Sequence, residues 1–142
     1  MWKAELTTTI NGPIEQAWEV LITPRLWEKV DPKHYKEVTY SGKKLTVGTK
    51  GKMKTEDSPG AFGFKVVVVD SETHTTITKS GLPLGSLTLT KSLFPAGNKV
   101  QFEETVVATG PFAKLFAKKF FQKQIADTLP AQHAAIKKYV EG

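Results

Sequence analysis

The sequence contains no cysteine and only one arginine, Arg25. Without thiols the chain forms no disulfide, holds no cysteine-ligated zinc or iron–sulfur cluster, and has no thiol nucleophile. With one arginine it lacks the rigid guanidinium forks that clamp phosphates and read guanine edges, so sequence-specific nucleic-acid recognition is not expected. No apolar run approaches the ~18 residues needed to span a bilayer. The opening MWKAELTTTING has no apolar block of the signal-peptide kind. A cytoplasmic location is the expectation. Histidine is sparse: His34, His74 and His133 match no zinc spacing and form no close helical pair. Neither a metal nor a cofactor is expected. There is no Walker loop, dinucleotide fingerprint or recognisable Ser/His/Asp set, so catalytic residues stay unassigned and the choice between enzyme and binding protein stays open.

What is abundant is lysine. Nineteen lysines and Arg25 oppose 14 acidic residues, a net charge of +6. Residues 28–54 hold eight lysines against three acids, and residues 110–142 hold six against two. These groups read as solvated surfaces, with weak contact to an anionic membrane surface or an acidic protein as the functional alternative. At 142 residues the chain fits one domain spanning 1–142, large enough for a real core. A monomer or weak dimer is expected.

Residues 2–10 alternate apolar and polar, which predicts a half-buried strand. Asn11-Gly12-Pro13 stops it, and Ile14, Ala17, Trp18, Leu21 and Ile22 form a helical stripe. Pro24 starts a second short helix through Trp27 and Val30, which Asp31-Pro32 ends. Between 35 and 108 the pattern turns to β: strands at 35–41, 46–55, 62–70, 73–81, 84–94 and 98–108, separated by turn residues. Short connections predict an antiparallel meander that twists and curls. Gly110-Pro111 opens a helix to about Val140, with a kink or break expected at Pro130. Such a helix would be about 45 Å long, against a radius of gyration of about 14–15 Å, so it must lie along the sheet.

A curled sheet gripping a long helix leaves space to be filled by side chains or a ligand. The expected lining is Phe64, Val66, Val68, Ile77, Leu87, Leu89, Leu93, Val100, Phe102 and Val106 from the strands, Trp27 from the second helix, and Phe112, Leu115, Phe116 and Phe120 from the long helix. Glu104 alternates with Phe102 and Val106 and should face inward. Lys91 shares the register of Leu89 and Leu93, and Lys79 that of Ile77. A buried carboxylate needs a partner, so a polar contact of Glu104 with Lys91, joined by Lys79, is expected in or at the rim of the space. His133 falls near the apolar face of the last helix, as a packing group or a hydrogen-bonding group at the cavity wall. His34 sits in a lysine-flanked loop, and His74 on the register opposite Ile77.

Ile10-Asn11-Gly12-Pro13-Ile14-Glu15-Gln16-Ala17-Trp18-Glu19-Val20-Leu21 resembles the opening of the polyketide cyclase/dehydrase and lipid-transport proteins of the START-like, birch-pollen-allergen-like (SRPBCC) superfamily. Pro24-Arg25-Leu26-Trp27 and Val30-Asp31-Pro32 resemble the second short helix and its exit, and the element order fits the whole chain. The resemblance implies an α+β helix-grip fold: a curved seven-stranded antiparallel sheet around a long C-terminal helix, with two short helices after the first strand. It also implies binding or carriage of a hydrophobic small molecule such as a lipid or polyketide between sheet and helix. A cyclase, aromatase or dehydratase is the alternative, and a lysine-rich interaction module the second alternative.

Overall fold

Alternation makes β1 (Trp2–Ile10), whose buried Ala4 and Ile10 face the interior. Pro13 then sits just ahead of α1 (Ile14–Ile22), which buries Ala17, Trp18, Val20, Leu21 and Ile22. Pro24 occupies the first turn of α2 (Pro24–Val30), where a missing backbone donor costs nothing. The computed structural model describes residues 2–56, 60–82, 85–111, 119 and 122–142. Six further strands follow: β2 (Tyr35–Tyr40), β3 (Lys50–Thr55), β4 (Phe62–Asp70), β5 (Thr75–Leu82), β6 (Gly85–Ala96) and β7 (Lys99–Thr109). They form one antiparallel sheet in the order β1-β7-β6-β5-β4-β3-β2. The meander runs from β2 to β7, and β1 closes onto β7, leaving β1 and β2 as the edges.

The expected alternation holds along β1, β6 and β7. It fails at β4. Val66 pairs with Thr78 and Val68 with Ile77, so Val67 is an extra residue, a β-bulge. Beyond the bulge the inward position passes from Val68 to Val69, which packs against the core. Partners directly opposite share a face. Thr76 pairs with Lys91, and Lys91 with the buried Glu104, so Thr76 points inward and its neighbour Ile77 outward. Lys79 follows Ile77 to the exposed outer face. The expected inward placement of Val68, Ile77 and Lys79 is therefore corrected: one inserted residue reverses the parity of β4, and β5 turns its polar side, Thr76 and Ser80, to the interior.

Three groups of buried side chains hold the layers together. Ile10, Trp18, Leu21, Leu93, Phe102, Ile136 and Val140 tie α1 and the C-terminal helix to the sheet. Ala4, Val106, Ala108 and Leu129 form a second group, with Leu87 and Leu89 packed against it. Trp27, Leu45, Phe64 and Val66 form the third. The last helix, α3 (Leu129–Glu141), is preceded by a π-helical turn at Gln124–Thr128. The break expected at Pro130 thus takes the form of a wide turn just upstream, with the proline in the first turn of α3. At the far end, Glu141 Oε2 accepts a hydrogen bond from Asn11 N (2.8 Å), and Lys137 Nζ donates to Thr9 O (2.9 Å), clasping α3 to the exit of β1.

Candidate functional site

The sheet, α1, α2 and α3 meet around a cavity of about 20 Å3 among the described residues, room for about one water molecule. Its apolar wall is Val20, Leu21, Trp27, Val30 and Ile136. Its polar wall is Asp31, Tyr35, Lys91 and Gln132. Each polar group arrives for a local reason. Asp31 ends α2, its backbone N–H bonded to Trp27 O and its Oδ1 accepting from His34 N at 3.3 Å. Tyr35 stands at a bulge where β2 begins against β3. Lys91 is carried inward by the β6 alternation. Gln132 lies one turn before Ile136 on the buried stripe of α3. Trp27 is fixed by its indole N–H, which donates to Val20 O at 2.9 Å, and its ring lies 5.8 Å from Lys91 Nζ.

Behind this wall runs a chain of buried polar groups. Lys91 shares the cavity wall with Tyr35 and faces Glu104 across the β6–β7 ladder. Glu104 is 2% exposed, and its Oε1 lies 3.1 Å from His133 Nε2. An ionised carboxylate only accepts, so Nε2 carries the hydrogen, and on the other side of the ring Nδ1 is hydrogen-bonded to the Thr8 hydroxyl at 2.7 Å. The imidazole stacks on Phe102, with centroids 4.1 Å apart and planes 17° from parallel. Asp31 Oδ2 and Glu104 Oε2 are buried acceptors with no hydrogen-bond partner among the described residues.

The electrostatics follow from burial and neighbours. Burial by itself would raise Glu104, but the Lys91 charge and the His133 hydrogen bond overcome it and hold the carboxyl below its usual range. Burial would likewise depress the Lys91 ammonium, yet Tyr35, Glu104 and Asp31 together push it above the usual lysine value. Tyr35 is raised, chiefly by burial and despite Lys91. At neutral pH the site therefore holds an ammonium, a carboxylate and a neutral phenol. A retained ammonium donates hydrogen bonds to a ligand oxygen; it is not a free amine nucleophile.

The structure brings Trp27, Lys91, Glu104, Phe102 and His133 together. Phe64 and Val66 pack against Trp27, one layer behind the cavity wall, while Leu87 and Leu89 belong to the Ala4–Leu129 group. Ile77 lies on the outer face. Phe112, Leu115, Phe116 and Phe120 lie outside the described residues. Of the wall residues only Trp27 and Lys91 are among the expected lining; Val20, Leu21, Val30 and Ile136 on the apolar side and Asp31, Tyr35 and Gln132 on the polar side are not. Gln132 had a readable signal, four residues before Ile136 and three after Leu129. Tyr35 had none, because its placement depends on a bulge. His34 contacts Tyr35 ring to ring (4.7 Å), and His74, at φ +51°, bonds Glu15 at 3.4 Å and meets the Trp18 ring edge-on. Among the described residues no group of three or more His, Asp or Glu could hold a metal ion, and no helix is long and apolar enough to cross a membrane.

A family model described as polyketide cyclase / dehydrase and lipid transport matches residues 1–141. No curated protein matches the chain in sequence. A truncated norcoclaurine synthase from Thalictrum flavum superposes with a TM-score of 0.73 at 19% identity, covering 98% of this chain and 92% of that one. The same synthase in complex with dopamine and hydroxybenzaldehyde gives 0.72 at 18% identity, with 98% and 86% covered. Major latex-like protein 151 from Panax ginseng gives 0.75 at 15% identity, with 99% and 98% covered. At these identities the likeness is one of fold.

Proposed function

Since this chain belongs to the polyketide cyclase/dehydrase and lipid-transport family, we propose that it binds a small molecule with an apolar body and an oxygenated head, seated between α2, α3 and the sheet. The observation that carries this reading is the pairing of one apolar wall with one polar cluster. Trp27, Leu21 and Ile136 face the same space as Lys91, Tyr35 and Asp31. A carbonyl or enolate oxygen would accept from the Lys91 ammonium and the Tyr35 hydroxyl. A hydroxyl on the same head would donate to the orphan oxygen of Asp31. The apolar body supplies affinity by desolvation, about 25 cal/mol per Å2 before the costs of association.

A cavity of about 20 Å3 is far below the ~300 Å3 of an ordinary ligand pocket. Binding on this reading widens it, with α3 moving away from α1 and α2 about the π-helical turn. Trp27 reports occupancy. Titration with a fluorescent fatty acid, followed by tryptophan quenching, is expected to give micromolar or tighter binding in the wild type. The quenching should fall in Trp27→Phe, leaving only the part carried by Trp2 and Trp18, while binding, read from the probe, persists. If no apolar probe binds and native mass spectrometry of gently purified protein finds no retained small molecule, the reading fails.

A second reading draws on the same cluster. A cyclase, aromatase or dehydratase needs a donor to polarise a carbonyl and a base to take a proton from the neighbouring carbon. Lys91 with Tyr35 would be the donor pair and Asp31 the base. Turnover of a bound polyketide-like substrate that is lost in Asp31→Asn with binding retained would select this reading over simple carriage.

A further inference from the structure

The outer face of the sheet carries a feature that ligand binding does not use. Lys50 stands directly opposite Lys65, and Lys65 directly opposite Lys79, so three like charges cross β3, β4 and β5 in one row. Lys52 and Lys54 extend the row along β3, exposed on the same face. None of these five lysines forms an ion pair among the described residues. Like charges placed directly across a sheet destabilise it. Lysines on edge strands guard against aggregation, but β3, β4 and β5 are interior strands, and the edges are β1 and β2. The row therefore has no protective role in this sheet.

An apolar strip lies beside it. The bulge turns Val67 and Val68 outward, and Val68 pairs with the outward Ile77. Val67 is 37% exposed. Val47, 59% exposed, adjoins Gly48, whose N–H bonds Val66 O at 2.8 Å, which brings the 46–49 turn against the same stretch of β4. Lysines around exposed aliphatic side chains suit a charged surface with an apolar layer just beneath. Lysine rather than arginine, and valine rather than aromatic rings, fit that surface better than a nucleic acid, which calls for guanidinium forks and stacking platforms.

We propose that the β3–β4–β5 outer face docks on an anionic lipid bilayer, with the lysine row on the headgroups and Val47 and Val67 at the acyl boundary. The test is co-sedimentation of the full chain with phosphatidylcholine vesicles, with and without about one-third phosphatidylglycerol, at low and moderate salt. Binding is expected to the anionic vesicles only, and to weaken as salt rises. The triple variant Lys50→Gln, Lys65→Gln, Lys79→Gln should lower the partition coefficient by about a hundredfold. Val47→Ser with Val67→Ser should lower it severalfold with the salt dependence unchanged. A control removing the same charge from α2, β7 and α3 (Lys29→Gln, Lys99→Gln, Lys138→Gln) should bind far more strongly than the patch variant. Circular dichroism confirms that each variant folds. Three results overturn the proposal: no binding to anionic vesicles, equal losses in patch and control variants, or tighter salt-dependent binding to an RNA oligomer that displaces the vesicles. Because the readout is sedimentation and not probe binding, failure here leaves the interior ligand reading standing.

Discussion

Replacing Lys91 by methionine removes one charge from the buried cluster and keeps most of the side chain's bulk. Glu104, 2% exposed, would then remain ionised in a site whose cation has gone. Removing one partner of a buried pair costs about 3–5 kcal/mol. Lys91 is only half-buried, so the lower end, about 3 kcal/mol, is expected. For a chain of 142 residues that lowers Tm by about 10 °C. The pH dependence is the sharper reading. In the wild type Glu104 is held below its usual range, so its contribution is present at neutral pH and is lost as the pH falls through the acid range. In Lys91→Met, burial persists without the counter-charge, and the carboxyl rises above its usual value. Acidification then neutralises an uncompensated charge, and the variant is stabilised relative to wild type. Urea unfolding at pH 7 and at about pH 5 should show the gap narrowing on the acid side. Adding Glu104→Gln, which keeps an acceptor for His133, should recover most of the loss, with a coupling energy above about 1.5 kcal/mol in the double-mutant cycle. A gap below about 1 kcal/mol that does not change with pH would show that the two groups are not coupled, and the electrostatic account of the site would fall.

At the alkaline end, Tyr35 and Lys91 are both raised, so their contributions are intact below about pH 10 and fade as the pH rises beyond it. Tyr35→Phe should therefore flatten part of the loss of stability above pH 10, measured by urea unfolding across that range. Thr8→Val removes the hydroxyl hydrogen-bonded to His133 Nδ1 and should cost about 1 kcal/mol. The same substitution should shift the imidazole 15N resonances, reporting the lost hydrogen bond at Nδ1. In Gly51→Ala the new methyl would sit 2.5 Å from the Phe64 ring and 3.0 Å from Thr39 O, so a loss of about 1–3 kcal/mol is expected. Thermal denaturation checks it, and adding Phe64→Leu should restore part of the loss.

Element order and the inward sides of β1, β6 and β7 were legible because each depends on a local repeat. Trp2 to Ile10 and Val100 to Ala108 alternate without interruption, and the burial pattern follows them. The same alternation turns Lys91 and Glu104 to one face, whereas the contact of Glu104 with His133 joins a strand to a helix and has no local repeat behind it. Val68, Ile77 and Lys79 were misread because nothing in Val66-Val67-Val68-Val69 marks which valine is the extra one. Four identical side chains carry no phase. Asp31 and Tyr35 escaped notice for a related reason: their positions are set by the end of a helix and the start of a strand, where periodicity supplies no direction. The polar interior of β5 ran against the rule that isoleucine outranks threonine for burial. Cross-strand pairing with Lys91 decided that orientation.

The Val67 bulge has a bearing on how this domain can be recombined. On one side of it, residues 64 and 66 belong to the interior; on the other, residue 69 does. The sheet is in effect two frames of opposite phase joined at one residue. A chimera that exchanges β4 and β5 together carries the frame shift with it and keeps every side chain on its proper side. A crossover inside Val66–Val69 that adds one residue would turn the downstream half of β4 inside out, moving Val69 to solvent and Val68 into the hold of Trp27 and Phe64, whereas one that drops a residue would erase the bulge and its local twist while leaving Val66 and Val69 on the inner face. Any shuffling or grafting of this chain should therefore cut in the turns, never within that run of valines.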